Sequence, residues 1–403
     1  MPSVCFYFQV HQPRRVKKYR LFDIGRDADY FNDDSEANTN NGKIIRKVSE
    51  KCYLPANRLM LELLARHPEF KITYSLSGVL LDQLEEYAPE VLLSFQELVA
   101  TGRVELLNET YYHSLAYLYS PTEFRRQVRE HRKKLIDLFR YEPESFRHTE
   151  LVYNNALAKE VEDLGYRAIL AEGADHILGW RSANFLYQPK GAPKLRLLLK
   201  NYKLSDDIAF RFSSREWREW PLDAAKFATW LGAINGAGEL VNLFMDYETF
   251  GEHQWADTGI FDFLRALPTE LLKHPDNDFV TVGEAARRFA PRDEIDAPDF
   301  YSWADTERDL SAWLGNPMQQ DAARRLYALE KPVLRTRDER LIGSWRRLGT
   351  SDHLYYMCTK WWQDGDVHKY FSPYASPYEA FISYMNALHD LELRVNAKLT
   401  EHV

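Results

Sequence analysis

The sequence predicts an α/β fold, with a barrel of βα units over residues 1–290 and an α-helical domain over residues 291–403 packed against it. Three observations carry this. Short β-rich apolar runs alternate with longer segments whose apolar residues recur every three or four positions, the pattern of a parallel sheet covered by helices. The stretch Ala290–Asp299, APRDEIDAPD, then breaks the pattern with prolines and acids. Beyond it the amphipathic segments are all helical in period.

The strand candidates, in order, are Val4–Val10, Lys71–Leu76, Arg103–Leu107, Ser145–His148, Tyr166–Ala171, Leu195–Leu199 and Glu239–Asp246, with a weaker one at Asp278–Val282. Helical periodicity marks Leu54–Arg66, Pro121–Phe139, Asn154–Leu164, Asp223–Leu231 and Phe261–Lys273 between them. After the break, Pro317–Glu339, Ser351–Trp362 and Pro377–Val395 read as helices. The polar, turn-rich Asp27–Gly42 reads as a long surface loop.

Composition narrows the function. Lys and Arg number 52 against 60 Asp and Glu, a net charge of −8, and acids are spread along the chain. That argues against a polyanion partner such as nucleic acid. Three cysteines, Cys5, Cys52 and Cys358, show no paired spacing, so a disulfide framework or thiolate zinc site is not expected and a reducing cytoplasm is. The amino terminus lacks the organisation of a signal peptide, and no apolar run is long enough to span a membrane. Aromatic residues make up 14% of the chain, a surplus that suits either stacking on sugar rings or a tyrosine-rich core.

In a barrel of parallel strands, functional groups gather where the apolar runs end. The first run ends in His11; the third continues into Asn108, Glu109 and His113; the fourth ends in His148 and Glu150; and the Glu239–Asp246 run leads through Asp246 to Glu248, Glu252 and His253. Two carboxylates from different strands, flanked by imidazoles and aromatics, form the pair that glycoside hydrolysis needs, one to attack and one to protonate the leaving oxygen. The rival is a metal site, since His11, His113, His148 and His253 share these segments with Glu109, Glu150 and Asp246. No HExxH or HxH pair occurs, and no nucleophile elbow or phosphate-binding loop either.

The segments FYFQVHQP, GRVELLNETYYHSL, FRHTELVYNN, LFMDYETFGEHQW and YSWADTERDLSAWLGNP, with SDHLYYM after them, resemble the ordered sequence regions of glycoside hydrolase family 57, in its compact α-amylase-type form. The resemblance implies an incomplete (β/α)7 barrel, a helical bundle closing over the site, and a retaining mechanism on α-glucosidic bonds with no cofactor and no metal. It places Glu150 at the nucleophile and Asp246 at the general acid/base. It gives His11, Trp303, Glu307, Trp313, Asp352 and His353 as substrate-facing residues. Glu109, His113, His148, Glu248 and His253 join them as substrate-binding groups, with Glu248 as a reserve acid. Arg147 or His148 is expected to supply the donors that keep Glu150 ionised.

The expected activity is hydrolysis of α-1,4 bonds in an α-glucan such as maltodextrin, starch or glycogen. The alternatives are a 4-α-glucanotransferase or branching-type transglycosylase on the same site, and a catalytically idle glucan-binding protein. Oligomeric state is not legible from the sequence.

Overall fold

A computed structural model describes residues 2–32, 38–361 and 366–401. The chain is an α/β protein built on parallel sheets. Strand β1 (Ser3–Val10) is buried along its whole length and lies between β2 (Ile72–Leu76) and β8 (Leu240–Asp246), parallel to both. A strand apolar on both faces is what a position inside a helix-covered parallel sheet requires. The first sheet has the order β3–β2–β1–β8, with β3 at Val104–Leu106. The second has the order β4–β5–β7–β6–β9. In it β4 (Ser145–Arg147), β5 (Ala168–Glu172) and β7 (Arg196–Lys200) are parallel, while β6 (Leu186–Pro189) runs antiparallel to β7 and β9 (Glu294–Ile295) parallel to β6.

Hydrogen bonds join the second sheet to both edges of the first. The Asn108 amide donates to Ser145 O at 3.0 Å and the Arg147 amide to Asn108 O at 2.9 Å, so β3 continues onto β4. At the other edge the Asn201 amide, one residue past β7, donates to Asn242 O in β8 at 2.9 Å. Register sets the level of the site: Gln9 of β1 lies opposite Ser75 of β2 and Asp246 of β8. The residues that follow, His11 and Ser77, therefore emerge beside Asp246.

The weaker strand expected at Asp278–Val282 is only a bridge, Val4 to Phe279. Thr281 instead opens the helix Val282–Arg288 through a capping box with Glu284. Strand β6 was not anticipated, and β9 falls inside the segment read as a break. The helix expected over Pro317–Glu339 is two, Pro317–Ala328 and Glu330–Thr336. Pro332 explains the break: it has no N–H to offer the carbonyl of Ala328, and its ring clashes there. The helix expected over Ser351–Trp362 ends at Tyr355, and Trp362 lies outside the described residues. Within the expected loop Asp27–Gly42, Asn41 and Gly42 already belong to the helix Asn41–Val48, capped by Asn40; residues 33–37 lie outside the described ones. Among the described residues, no helix is long and apolar enough to cross a membrane.

Most of the aromatic surplus is packing. Phe8, Tyr74, Phe95 and Tyr247 meet ring to ring beneath the first sheet. Trp313, Trp345, Tyr356 and Tyr384 fill a second core among the carboxyl-terminal helices, which also takes in Val16, Tyr30 and Leu115. A buried ion pair ties these helices to the rest. Arg346 Nε donates to Glu123 Oε1 at 2.8 Å, with the two side chains 6% and 1% exposed. Removing one partner strands the other charge in the interior. Arg346→Met is therefore expected to destabilise the protein by about 3–5 kcal/mol in urea unfolding, and Arg346→Met/Glu123→Leu to recover much of the loss.

Candidate active site

The site gathers where the parallel strands end, and its centre is Glu150. This residue follows β4 with φ 58° and ψ 26°, and Leu151 after it has φ 49°. Two consecutive non-glycine residues in the left-handed region cost about 1–3 kcal/mol each, which the surrounding structure must sustain. It does so through the Tyr153–Tyr301 bridge and the Trp303 amide, which donates to Glu150 O at 3.4 Å. The turn aims the half-buried Glu150 carboxylate at two donors: His113 Nε2 at 3.0 Å and Trp303 Nε1 at 2.8 Å.

His113, itself at φ 50°, is 1% exposed and spends both ring nitrogens on carboxylates, Nε2 on Glu150 and Nδ1 on Glu109 at 3.0 Å. Burial alone would lower its pKa; the two carboxylates outweigh that and lift it to about 9, so the ring is an imidazolium at neutral pH. Glu109 is fully buried, yet its contact with His113, helped by the charge of Arg147, holds its pKa down at about 2. For Glu150, burial pushes the pKa up, while the His113 hydrogen bond and charge and then Arg147 push it down; the net is below the ordinary glutamate value.

Asp246 behaves oppositely. Burial and then the charge of Glu150 raise its pKa to about 6, against the smaller lowering effects of Arg147 and Lys200. Two acids at one site are thus pushed apart, one ionised and one holding a proton in mildly acidic solution. Glu248, buried and hydrogen-bonded by Tyr53 OH, is raised further, to about 8, by burial and then by the Asp246 charge.

His11 completes the floor. Its ring lies on that of His113 with centroids 3.8 Å apart and 18° between planes. Its Nε2 bonds Asp352 Oδ2 at 2.9 Å and its Nδ1 meets Ser77 Oγ at 2.6 Å. Burial and then the charge of His113 keep His11 below its usual pKa, so it is neutral; Nε2–H donates to Asp352 and Nδ1 accepts from Ser77. Asp352 arrives from the carboxyl-terminal helices on Ser351–Tyr355, whose first amide donates to His113 O at 2.9 Å.

His11, His113 and Asp352 could each offer one ligand atom within 4.8 Å of the others. A cation there would need the lone pairs of rings already engaged on Asp352, Ser77, Glu109 and Glu150, and His113 would have to give up its proton. The donor set suits hydrogen bonding to carboxylates better than ligation.

Several sequence-predicted residues lie elsewhere. His148 does not supply a donor to Glu150: fully buried, it packs on Phe124 and Tyr117 in the helical layer, because neighbours on a strand point to opposite faces and Arg147 takes the inward one. Arg147 makes no hydrogen bond to Glu150 either; it lies 3.9 Å from Glu109 and acts through its charge. Trp313, 1% exposed, is in the helical core and presents no surface to a sugar. His353 packs against Tyr356 and Tyr384 there, its Nε2 donating to Arg347 O at 3.2 Å. Glu307 is an exposed residue paired with Lys360 at 3.1 Å. His253 faces Tyr370 and Phe371, and the adjacent Glu252 pairs with Lys47 at 2.6 Å. Sequence reasoning missed Ser77 and Lys200, although Lys200 ends an apolar strand just as Asp246 does.

A carboxylate held ionised beside a carboxyl whose pKa is raised, both at the ends of parallel strands, is the kind of pair that glycoside hydrolases use. The family model described as Glycosyl hydrolase family 57 matches residues 5–298, and the chain belongs to that family. It is 43% identical, over 99% of its length and 86% of the relative's, to a Methanocaldococcus jannaschii protein named "Putative alpha-amylase". Its fold is similar to a GH57-type branching enzyme from Pyrococcus horikoshii, with TM-score 0.69, 15% identity, and coverage of 98% of this chain and 94% of that one. It is also similar to a 4-alpha-glucanotransferase from Thermococcus litoralis, with TM-score 0.67, 16% identity, and coverage of 88% of this chain and 56% of that one.

Proposed function

We propose that this protein is a retaining α-glucan hydrolase that cleaves α-1,4-glucosidic bonds through a glycosyl-enzyme intermediate. The observation that carries the reading is the opposed ionisation of Glu150 and Asp246. Ionised Glu150 attacks the anomeric carbon as Asp246 gives its proton to the departing glycosidic oxygen. A water then attacks the same carbon, Asp246 takes the water's proton, and Glu150 leaves. His11 and Asp352 line the subsite of the sugar being cleaved. No metal or cofactor takes part. Residues 1–290 form an incomplete (β/α)7 barrel, a reading supported by the hydrogen bonds at Asn108 and Asn201 that join the two sheets, and the helices within residues 291–403 form the domain that closes over it, with β9 lying in the second sheet. Three buried free cysteines suit a reducing cytoplasm.

The pH dependence follows from these ionisations. Glu150 must be ionised, so the acid limb of kcat/KM lies below the ordinary glutamate value. Asp246 must be protonated, so activity falls about tenfold per unit above pH about 6. An alkaline limb near 8 in the profile on an aryl maltooligoside would instead make Glu248 the acid.

The deciding experiment incubates chelator-treated protein with maltoheptaose and separates the products by size. Shorter products alone are expected. Products both longer and shorter than the substrate would make the protein a 4-α-glucanotransferase or branching-type enzyme, and an inert protein with intact glucan binding would be the idle form. Activity that appears only with added metal would overturn the two-carboxylate mechanism.

A further inference from the structure

Trp303 meets the Glu150 carboxylate through its indole nitrogen, so whatever orients the indole orients the carboxylate. Two cations lie over its ring. Arg147 Cζ is 5.4 Å and Lys200 Nζ 5.2 Å from the ring centroid, within the range of cation–π attraction. Lys200 is the last residue of β7 and is 4% exposed. It reaches Asp206 at 3.1 Å and Glu172, the last residue of β5, at 3.6 Å. Arg308 closes the cluster, 3.5 Å from Glu172 and 3.9 Å from Asp206, and its guanidinium also donates to the backbone carbonyl of Trp303.

The strand ends are pressed together here. A Cβ at Gly173 would come within 2.2 Å of the Lys200 carbonyl oxygen, so only glycine allows β5 and β7 to end this close. Burial works against the charge on Lys200, but Asp206 and Glu172 more than offset it and keep the ammonium protonated. The result is a cation fixed from below, pressed on the ring whose N–H holds Glu150.

We infer that Lys200, held by Glu172, Asp206 and Arg308, is a positioning residue: it fixes the Trp303 indole so that its N–H orients the Glu150 carboxylate for attack. The inference rests on the assignment of Glu150 as nucleophile. It gives the buried charge cluster a kinetic role beyond stability, since the cluster ties the loop carrying Trp303 and Arg308 to the ends of β5 and β7.

The test is a double-mutant cycle of Lys200→Met and Trp303→Phe, read as kcat and KM on maltoheptaose, with Glu150→Gln alongside. Losing a hydrogen bond to a charged group predicts about a tenfold to hundredfold drop in kcat for each single variant. If Lys200 acts through Trp303, the double variant is about as slow as Trp303→Phe alone, KM moves less than about threefold, and Lys200→Arg restores most of the rate. The acid limb of the pH profile should also rise in Lys200→Met, because Glu150 loses a donor to its ionised form. Losses that multiply, or a lowered melting temperature with kcat unchanged, overturn the positioning role. Near-normal activity in Glu150→Gln overturns both this inference and the assignment it rests on; lost activity there with multiplying losses in the cycle overturns the inference alone. Should Lys200→Met fail to fold, Arg308→Gln replaces it in the cycle and is read the same way.

Discussion

Replacing Glu150 is expected to lower kcat on maltoheptaose by at least about 10⁴-fold, as removal of a covalent nucleophile does. Glutamine keeps the shape and still accepts from His113 or Trp303, so glucan binding should change little. Glycine is the more informative variant. Residue 150 sits at φ 58°, where a side chain costs about 1–2 kcal/mol, and glycine removes that strain while opening room beside His113 and Trp303. Glu150→Gly should therefore fold with a melting temperature close to that of the parent, although it gives up the ion pair. With an activated α-glucosyl fluoride and azide, it should yield the β-glucosyl azide, because the small anion enters from the face that Glu150 occupied. Double-digit percentage activity in Glu150→Gln would remove the residue as nucleophile.

Asp246→Asn is expected to cost nearly as much on maltoheptaose, about 10³–10⁴-fold in kcat, but for a different reason. Both steps need Asp246, first as proton donor and then as proton acceptor. A fluoride leaving group needs little help from an acid, so the first step should survive and the glycosyl-enzyme accumulate, visible as a burst of one equivalent of fluoride. Azide then attacks the intermediate without needing a base and should give the α-glucosyl azide. Opposite azide configurations from the two variants would fix both roles at once. The same configuration from both would sink the division of labour.

How much of this was legible in the sequence depends on distance along the chain. His11, Glu109, Glu150 and Asp246 stand where apolar runs stop, and in a parallel sheet that position is already a location in space. The same rule applied to Ala168–Glu172 and Arg196–Lys200 points to Glu172 and Lys200, whose part in the site depends on Asp206 and Arg308 arriving from elsewhere in the chain. The donor role of Trp303 was out of reach, because its partner is 153 residues away and the contact depends on how one loop lies across another. His148 was misread although its strand position held the answer: alternation allows only one of Arg147 and His148 to face the site. Trp313 and His353 share segments with residues that do reach it, and on a short helix neighbouring positions face different ways. Pro332 was visible from the start, and its missing N–H should have split the Pro317–Glu339 helix.

The stacked imidazoles have a consequence for charge. The positive charge of the pair sits on His113, the ring that holds Glu109 and Glu150, while His11 beneath it is kept below its usual pKa. A neutral glucan gains little from the charge on Glu150. A sugar ring that turns cationic as its bond to the leaving oxygen stretches is attracted by it, while the proton of Asp246 meets the charge growing on that oxygen, so the attraction is greatest at the top of the barrier.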